Sequence, residues 1–182
     1  MRTDRNDLEK VIVSEEEIRE RVQDLGAQLT REYEGCNPVV LGILKGANVF
    51  VADLVRAMDI ELQMEFMALE SYGMSDTPGK VRVKMDCETE LAGRHVLIVD
   101  DIMDTGQTLR ILSELLYMRG AASVRSCVLL DKPSRRTVEF EPDYKGFEIE
   151  DAFVVGYGLD YAERFRNLPE VCAIKKRVYT TE

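Results

Sequence analysis

The run VLIVDDIMDTGQTL, residues 96–109, constrains the fold more than any other stretch of this chain. Its first four residues, Val96, Leu97, Ile98 and Val99, are apolar and mostly β-branched. Such an unbroken run reads as a strand buried on both faces, the signature of a parallel sheet. The strand is expected to end in two adjacent carboxylates, Asp100 and Asp101. A third, Asp104, opens a loop of small and polar residues, Thr105, Gly106, Gln107 and Thr108, before an apolar-periodic helix begins. In open α/β sheets, ligands bind beyond the carboxyl ends of strands, where a helix N-terminus offers free amides to an anion. Acids beside an anion site repel the anion unless they face hydroxyls or a metal. A ribose 5-phosphate meets both demands: the carboxylates accept from ring hydroxyls while residues 105–108 cradle the phosphate.

The rest of the chain reads as alternating elements around that strand. Ser14 with Glu17 three residues later is a capping box, opening a helix with Ile18, Val22, Leu25 and Leu29 on one face and an end near Tyr33. Residues 38–44 form a short apolar run, hence a first core strand, followed by Lys45-Gly46 and a helix over about 47–58. Ile60, Leu62, Met64 and Phe66 alternate with Glu61, Gln63 and Glu65, the period of a half-exposed strand. Val81, Val83 and Met85 alternate in the same way after a turn-rich loop, 71–80. These two strands predict an antiparallel excursion whose loop moves over the sheet edge. The helix after the central strand should stop at Gly120, a good C-terminal cap. Further strands are expected at 124–130, 152–155 and 172–178.

Composition excludes several classes. A chain of 182 residues is expected to form one domain with a substantial core. A net charge of −10 argues against a general nucleic-acid surface, but not against small phosphorylated ligands, for which local amides and a few cations suffice. No run approaches the length of a membrane span, and MRTDRNDLEK lacks the apolar stretch of a signal peptide, so a cytoplasmic protein is expected. The four cysteines (Cys36, Cys87, Cys127, Cys172) show no metal-ligand or CxxC spacing; Cys127 and Cys172 read as buried free thiols. The single histidine, His95, sits just before the strand, which disfavours a Ser-His-Asp mechanism.

Residues 96–109 resemble the phosphoribosyl pyrophosphate (PRPP) binding motif of type I phosphoribosyltransferases. Further pieces match, in order and spacing, the hypoxanthine-guanine phosphoribosyltransferase family: Leu44-Lys45-Gly46, Ser71-Tyr72-Gly73, Leu130-Asp131-Lys132-Pro133 and FVVGYGLDYAERFRNL at 153–168. The resemblance implies an α/β fold of the type I phosphoribosyltransferase kind. In it a mainly parallel central sheet is flanked by helices, with a small hood and an antiparallel flap. It implies conversion of PRPP plus hypoxanthine or guanine to IMP or GMP with release of pyrophosphate. Mg²⁺ would be the cofactor, and a homodimer or homotetramer the assembly.

Taken singly, most of these residues also have plain structural readings. Asp100 and Asp101 read as solvated acids at a strand end, and Asp104 as a helix N-cap or Asx-turn residue. Lys45, Lys132 and Arg166 read as surface cations, Ser71 and Tyr72 as turn residues, and Phe153 as core beside Val154 and Val155. The resemblance gives each a role. Asp100 and Asp101 handle the ribose hydroxyls, directly or through Mg²⁺, with Asp160 as a further metal ligand near the purine. Asp104 takes the purine N7 proton as general base, and Thr105, Gly106, Gln107 and Thr108 hold the 5′-phosphate. Lys45, Gly46, Ser71, Tyr72 and Arg166 meet pyrophosphate, with a cis peptide implied at Leu44-Lys45. Lys132 donates to the 6-oxo group, Phe153 stacks on the purine, Ile102 covers its other face, and Val154 offers its backbone. Gln107 and Ala47 stand where some relatives carry lysine and glycine. A PRPP- or nucleotide-sensing regulator on the same fold is the alternative; a receiver domain also places acids after a strand but leaves the other segments unexplained.

Overall fold

Val96, Leu97, Ile98 and Val99 are fully buried, and they alternate between two apolar clusters, one on each face of a six-stranded sheet. This is the packing that an unbroken β-branched run requires. The structure is a computed structural model describing residues 5–71 and 81–180. In chain order its elements are β1 (Leu8–Val13), α1 (Glu15–Glu32), β2 (Val39–Leu44), α2 (Asn48–Ala57), β3 (Gln63–Ser71), β4 (Val81–Met85), β5 (His95–Met103), α3 (Gln107–Met118), β6 (Ser123–Asp131), β7 (Tyr144–Glu148), β8 (Val154–Val155), β9 (Val171–Ile174) and α4 (Lys176–Tyr179).

The large sheet has the order β4-β3-β2-β5-β6-β7. All neighbours are parallel except β3 and β4, the antiparallel pair expected for the excursion. Tyr72 and the loop 72–80 lie outside the described residues. One face is covered by α1 and α2 through Ile18, Val22, Leu25, Leu29, Phe50, Val51 and Leu54; α3 covers the other through Leu109, Leu112 and Leu116. A second, three-stranded antiparallel sheet, β1-β9-β8, carries its own small cluster of Val155, Phe165, Leu168 and Ile174.

The capping box forms as read: the Glu17 amide donates to Ser14 Oγ, and Glu17 Oε2 accepts from the Ser14 amide at 2.8 Å. Four expectations shift. The central strand does not stop at the acids but runs to Met103, because Asp100, Ile102 and Met103 keep their parallel pairing with Val128, Leu130 and Asp131. The strand read at 60–66 begins later, at Gln63, and leaves Met64 exposed while Met67 is fully buried, since its second half packs apolar side chains on both faces. The last strand ends at Ile174, and the chain then turns into the short helix α4. Strands β1 and β7 were not anticipated: each carries few fully buried residues, so neither leaves an apolar run in the sequence.

Cys127 and Cys172 are buried free thiols as expected, and burial pushes the Cys127 thiol to about 12. His95 Nδ1 lies 2.8 Å from Ser123 Oγ across the start of β5 and β6, a structural contact. No helix among the described residues is long and apolar enough to cross a membrane.

Candidate active site

Because β5 extends through the acids, Asp100 and Asp101 are strand residues rather than loop residues. Asp100 Oδ1 accepts from the Asp101 amide at 3.0 Å, and Asp101 Oδ1 accepts from the Ile102 amide at 2.9 Å. Burial raises both carboxyls above the ordinary aspartate range. Asp100 is raised the more, because the Asp101 charge beside it adds to desolvation. Such a pair favours any partner that restores its negative form, a hydroxyl donor or a cation. The Lys45-Gly46 turn, after β2, lies directly against it: a Cβ at Gly46 would sit 1.7 Å from Asp101 Oδ2. Only glycine permits that approach, so the turn and the acid form one surface. The Leu44-Lys45 peptide is cis.

The loop after β5 is fixed by the segment that follows β6. The Lys132 amide donates to the Met103 carbonyl at 3.0 Å, and the Thr137 amide to the Thr105 carbonyl at 3.1 Å. Between them, Arg136 Nη1 donates to the Asp104 carbonyl at 2.5 Å, and Nη2 to Asp131 Oδ1 at 2.5 Å. Asp131 is completely buried and also meets Lys145 Nζ at 3.3 Å. A buried carboxylate held by two cations thus anchors the arginine that grips the loop. Gly106 adopts φ +80° as the residue before α3, a left-handed conformation that turns the chain into the helix.

The Asp104 side chain faces a cleft of about 430 Å³ that is also lined by Ile102, Lys132, Arg135, Asp151, Ala152, Phe153, Val154, Leu159, Asp160 and Tyr179. All five residues read as purine contacts therefore border one space with the candidate base. Asp104 Oδ1 is shielded from solvent and has no hydrogen-bond partner. Lys132 Nζ is 3.6 Å from it, on a side chain only 8% exposed, and 3.9 Å from Asp151 Oδ1. Arg135 completes the polar wall, 3.8 Å from Asp104 Oδ2 and 3.2 Å from Asp151 Oδ2. Phe153 is 39% exposed. Val154 lies on β8, an edge strand of the small sheet, so one side of its backbone has no ladder partner among the described strands.

Lys45 and Arg166 converge on a single carboxylate. Lys45 Nζ is 3.0 Å from Glu163 Oε1, and Arg166 Nε is 3.4 Å from Glu163 Oε2. Arg166 also meets Asp160 Oδ1 at 2.8 Å and donates to the Gly158 carbonyl at 2.8 Å. Lys45 and Glu163 are both well exposed, and such pairs contribute little stability, so an anionic ligand can replace Glu163 readily. Asp160 Oδ2 further accepts from the Glu163 amide at 2.8 Å. Its carboxylate is thus committed to Arg166 and to this turn. It does not join Asp100 and Asp101 in a ready-made ligand set, and among the described residues no group of three acids, histidines or cysteines is arranged to hold a metal. The expectation of three converging metal ligands is corrected accordingly.

The phosphoribosyl transferase domain family matches residues 12–162. The chain belongs to this family. Among relatives of the phosphoribosyltransferase, the hypoxanthine-guanine phosphoribosyltransferase of Bacillus subtilis is 50% identical over 176 residues, 96% of this chain and 98% of that one. The enzyme of the same name from Lactococcus lactis is 53% identical over 173 residues, 94% of each chain. A crystal structure of a hypoxanthine phosphoribosyltransferase from Staphylococcus aureus superposes with a TM-score of 0.93 at 44% identity, covering 97% and 96% of the two chains. The fold is therefore that of the type I phosphoribosyltransferases, with the three-stranded sheet as its hood. Arg135, Arg136, Asp151 and Tyr179 are the parts of this phosphoribosyltransferase site that sequence reading missed. A basic cluster directly after the β6 strand, Lys132 to Arg136, was the available signal for the first two.

Proposed function

We propose that this chain transfers the phosphoribosyl group of PRPP to hypoxanthine or guanine, forming IMP or GMP and pyrophosphate, as a single catalytic domain. One observation carries the reading: an unpartnered Asp104 carboxylate oxygen and a nearly buried lysine ammonium lie 3.6 Å apart across a cleft of purine size. A 6-oxopurine offers a proton to the first and an acceptor to the second. Phe153 and Ile102 bound the ring faces, and the Val154 backbone meets its edge. Asp100 and Asp101 accept from the ribose hydroxyls, and residues 105–108 receive the 5′-phosphate at the start of α3. Lys45, Gly46 and Arg166 receive pyrophosphate, with Ser71 and Tyr72 from the flap. As the bond to pyrophosphate breaks, positive charge develops on the sugar, the purine nitrogen attacks, and Asp104 accepts the proton released from the base.

The donor set fits Mg²⁺. The oxygen ligands are hard, and Mg²⁺ is commonly held by one or two carboxylates together with substrate phosphates rather than by an all-protein cage. Asp100 and Asp101 would hold it, with Asp160 nearby. When bound, it neutralises pyrophosphate and lets an anionic substrate lie against the acids. The assembly proposed is a homodimer or homotetramer. The alternative of a PRPP-sensing regulator gains nothing from the relatives, which bear the transferase name along nearly the whole chain.

The testing experiment measures PRPP consumption with hypoxanthine, guanine, xanthine and adenine. Adenine should be poorer than hypoxanthine by at least ~10²-fold in kcat/KM. Lysine has three donors and no acceptor, adenine presents a 6-amino group, and a mismatched buried donor costs about 1–3 kcal/mol, more when charged. Comparable values for the two bases would overturn the 6-oxopurine assignment. Lys132→Ala should narrow the gap; unchanged discrimination would move its cause elsewhere.

Arg136→Ala tests the loop clamp. It leaves Asp131 buried with Lys145 as its remaining cation, so unfolding free energy should fall by about 3 kcal/mol. Loosening of the Asp104 loop should lower kcat by up to about 10²-fold. Urea denaturation and steady-state rates check both, and a variant matching the parent in stability and rate would show that the clamp holds nothing.

A further inference from the structure

We infer, resting on the reading that Phe153 stacks on the purine, that Tyr179 is a positioning residue for the base: its ring backs Phe153 and fixes the plane on which the purine lies. Phe153 stands one residue before β8, with its carbonyl accepting from the Ile174 amide at 3.0 Å. Its side chain is 39% exposed, so without support the ring would be free to turn. Two tyrosines supply the support. Tyr179 stacks on Phe153 with centroids 5.0 Å apart and planes 24° apart, and Tyr161 meets it edge-on at 5.5 Å and 87°. Both tyrosines rest on the hood cluster of Val155, Phe165, Leu168 and Ile174, which places them behind Phe153 rather than in its open cleft.

The way Tyr179 is held supports a dedicated role. Helix α4 has four residues, too few to keep its own position. It is tied instead to the other end of the described chain. The Lys175 amide donates to the Asp7 carbonyl at 3.0 Å, and Lys175 Nζ to the Asn6 carbonyl at 2.7 Å. Asp7 Oδ1 takes Arg177 at 3.1 Å, while Asp7 Oδ2 takes Arg164 at 2.9 Å. One carboxylate therefore links the turn that carries Tyr179 to the loop that carries Tyr161. The two supports of Phe153 are fixed to each other.

The test is steady-state kinetics on the full chain. Tyr179→Ala should raise KM for hypoxanthine by about 2- to 10-fold, the range expected for losing one aromatic pair, with KM for PRPP and kcat unchanged. Tyr179→Phe should match the parent, because the stack uses the ring and not the hydroxyl. In a Phe153→Leu background the Tyr179→Ala effect should vanish. Asp7→Asn should raise the same KM by a smaller factor. An unchanged KM would overturn the role, and so would equal losses in kcat and both KM values, which would mark a general loss of structure. A lower KM would also overturn it, because the ring would then be competing with the base for its place. A parent that does not consume PRPP with hypoxanthine would overturn the transferase reading itself, and this role with it.

Discussion

Replacing Asp104 by asparagine is expected to lower kcat by about 10²–10⁴-fold, the usual loss on removing a general base. The fold and PRPP binding should survive. Asparagine has the same shape, and the loop is held through the Asp104 carbonyl, which Arg136 grips at 2.5 Å and which the substitution leaves in place. The affected oxygen, Oδ1, makes no hydrogen bond in the free protein, so no existing bond is lost. What disappears is the ability to accept a proton in a space where Lys132 Nζ lies 3.6 Å away. The check pairs kcat of the purified variant with its urea midpoint and its affinity for PRPP. A near-parental kcat would remove Asp104 from the role; a lowered midpoint would place the damage in the fold.

Stripping divalent cations should abolish turnover, and adding Mg²⁺ back should restore it. Asp100, Asp101 and Asp160 stand where a strongly anionic substrate must lie, and Lys45 and Arg166 are already shared with Glu163 and Asp160. Two cations against that many carboxylates leave the substrate unbalanced. At about 4 Å, two unit charges interact by about 4 kcal/mol at an effective dielectric of 20, so one uncompensated contact already weakens binding by orders of magnitude. The measurement is PRPP consumption after chelation and dialysis, followed by titration with Mg²⁺. Robust activity in excess chelator would contradict the site as described.

The sequence was most legible where burial is complete on both faces. The four residues from Val96 to Val99 can only be a central strand, and they are. The Ser14–Glu17 cap was legible because its chemistry is local. Legibility failed where partners are distant in sequence. Asp100 and Asp101 look like a strand end because carboxylates are poor strand formers. Pairing with β6 overrides that preference, and β6 is not visible from residues 100 and 101. In the same way nothing near Arg136 announces that Asp131 and the Asp104 carbonyl await it, or that Asp160 is claimed by Arg166. Tyr179 sits at the end of an apolar stretch that reads as strand; its contact with Phe153 depends on the turn after Ile174, whose anchor is Asp7.

The pairing of β1 with β9 has a consequence for the order in which the molecule is completed. Strands β2, β5 and β6, with Asp100, Asp101 and the Asp104 loop, can assemble once residues up to the 130s have been synthesised. The hood cannot, since β9 lies between β1 and β8 and joins Leu8 to Ile174. Contacts of such long range are slow to form, and domains are completed progressively as the chain emerges at about 5–20 residues per second. During synthesis the sugar and phosphate half of the site is therefore built first. The wall that presents Phe153 and Val154 to the base waits for the last strand to be threaded between its neighbours.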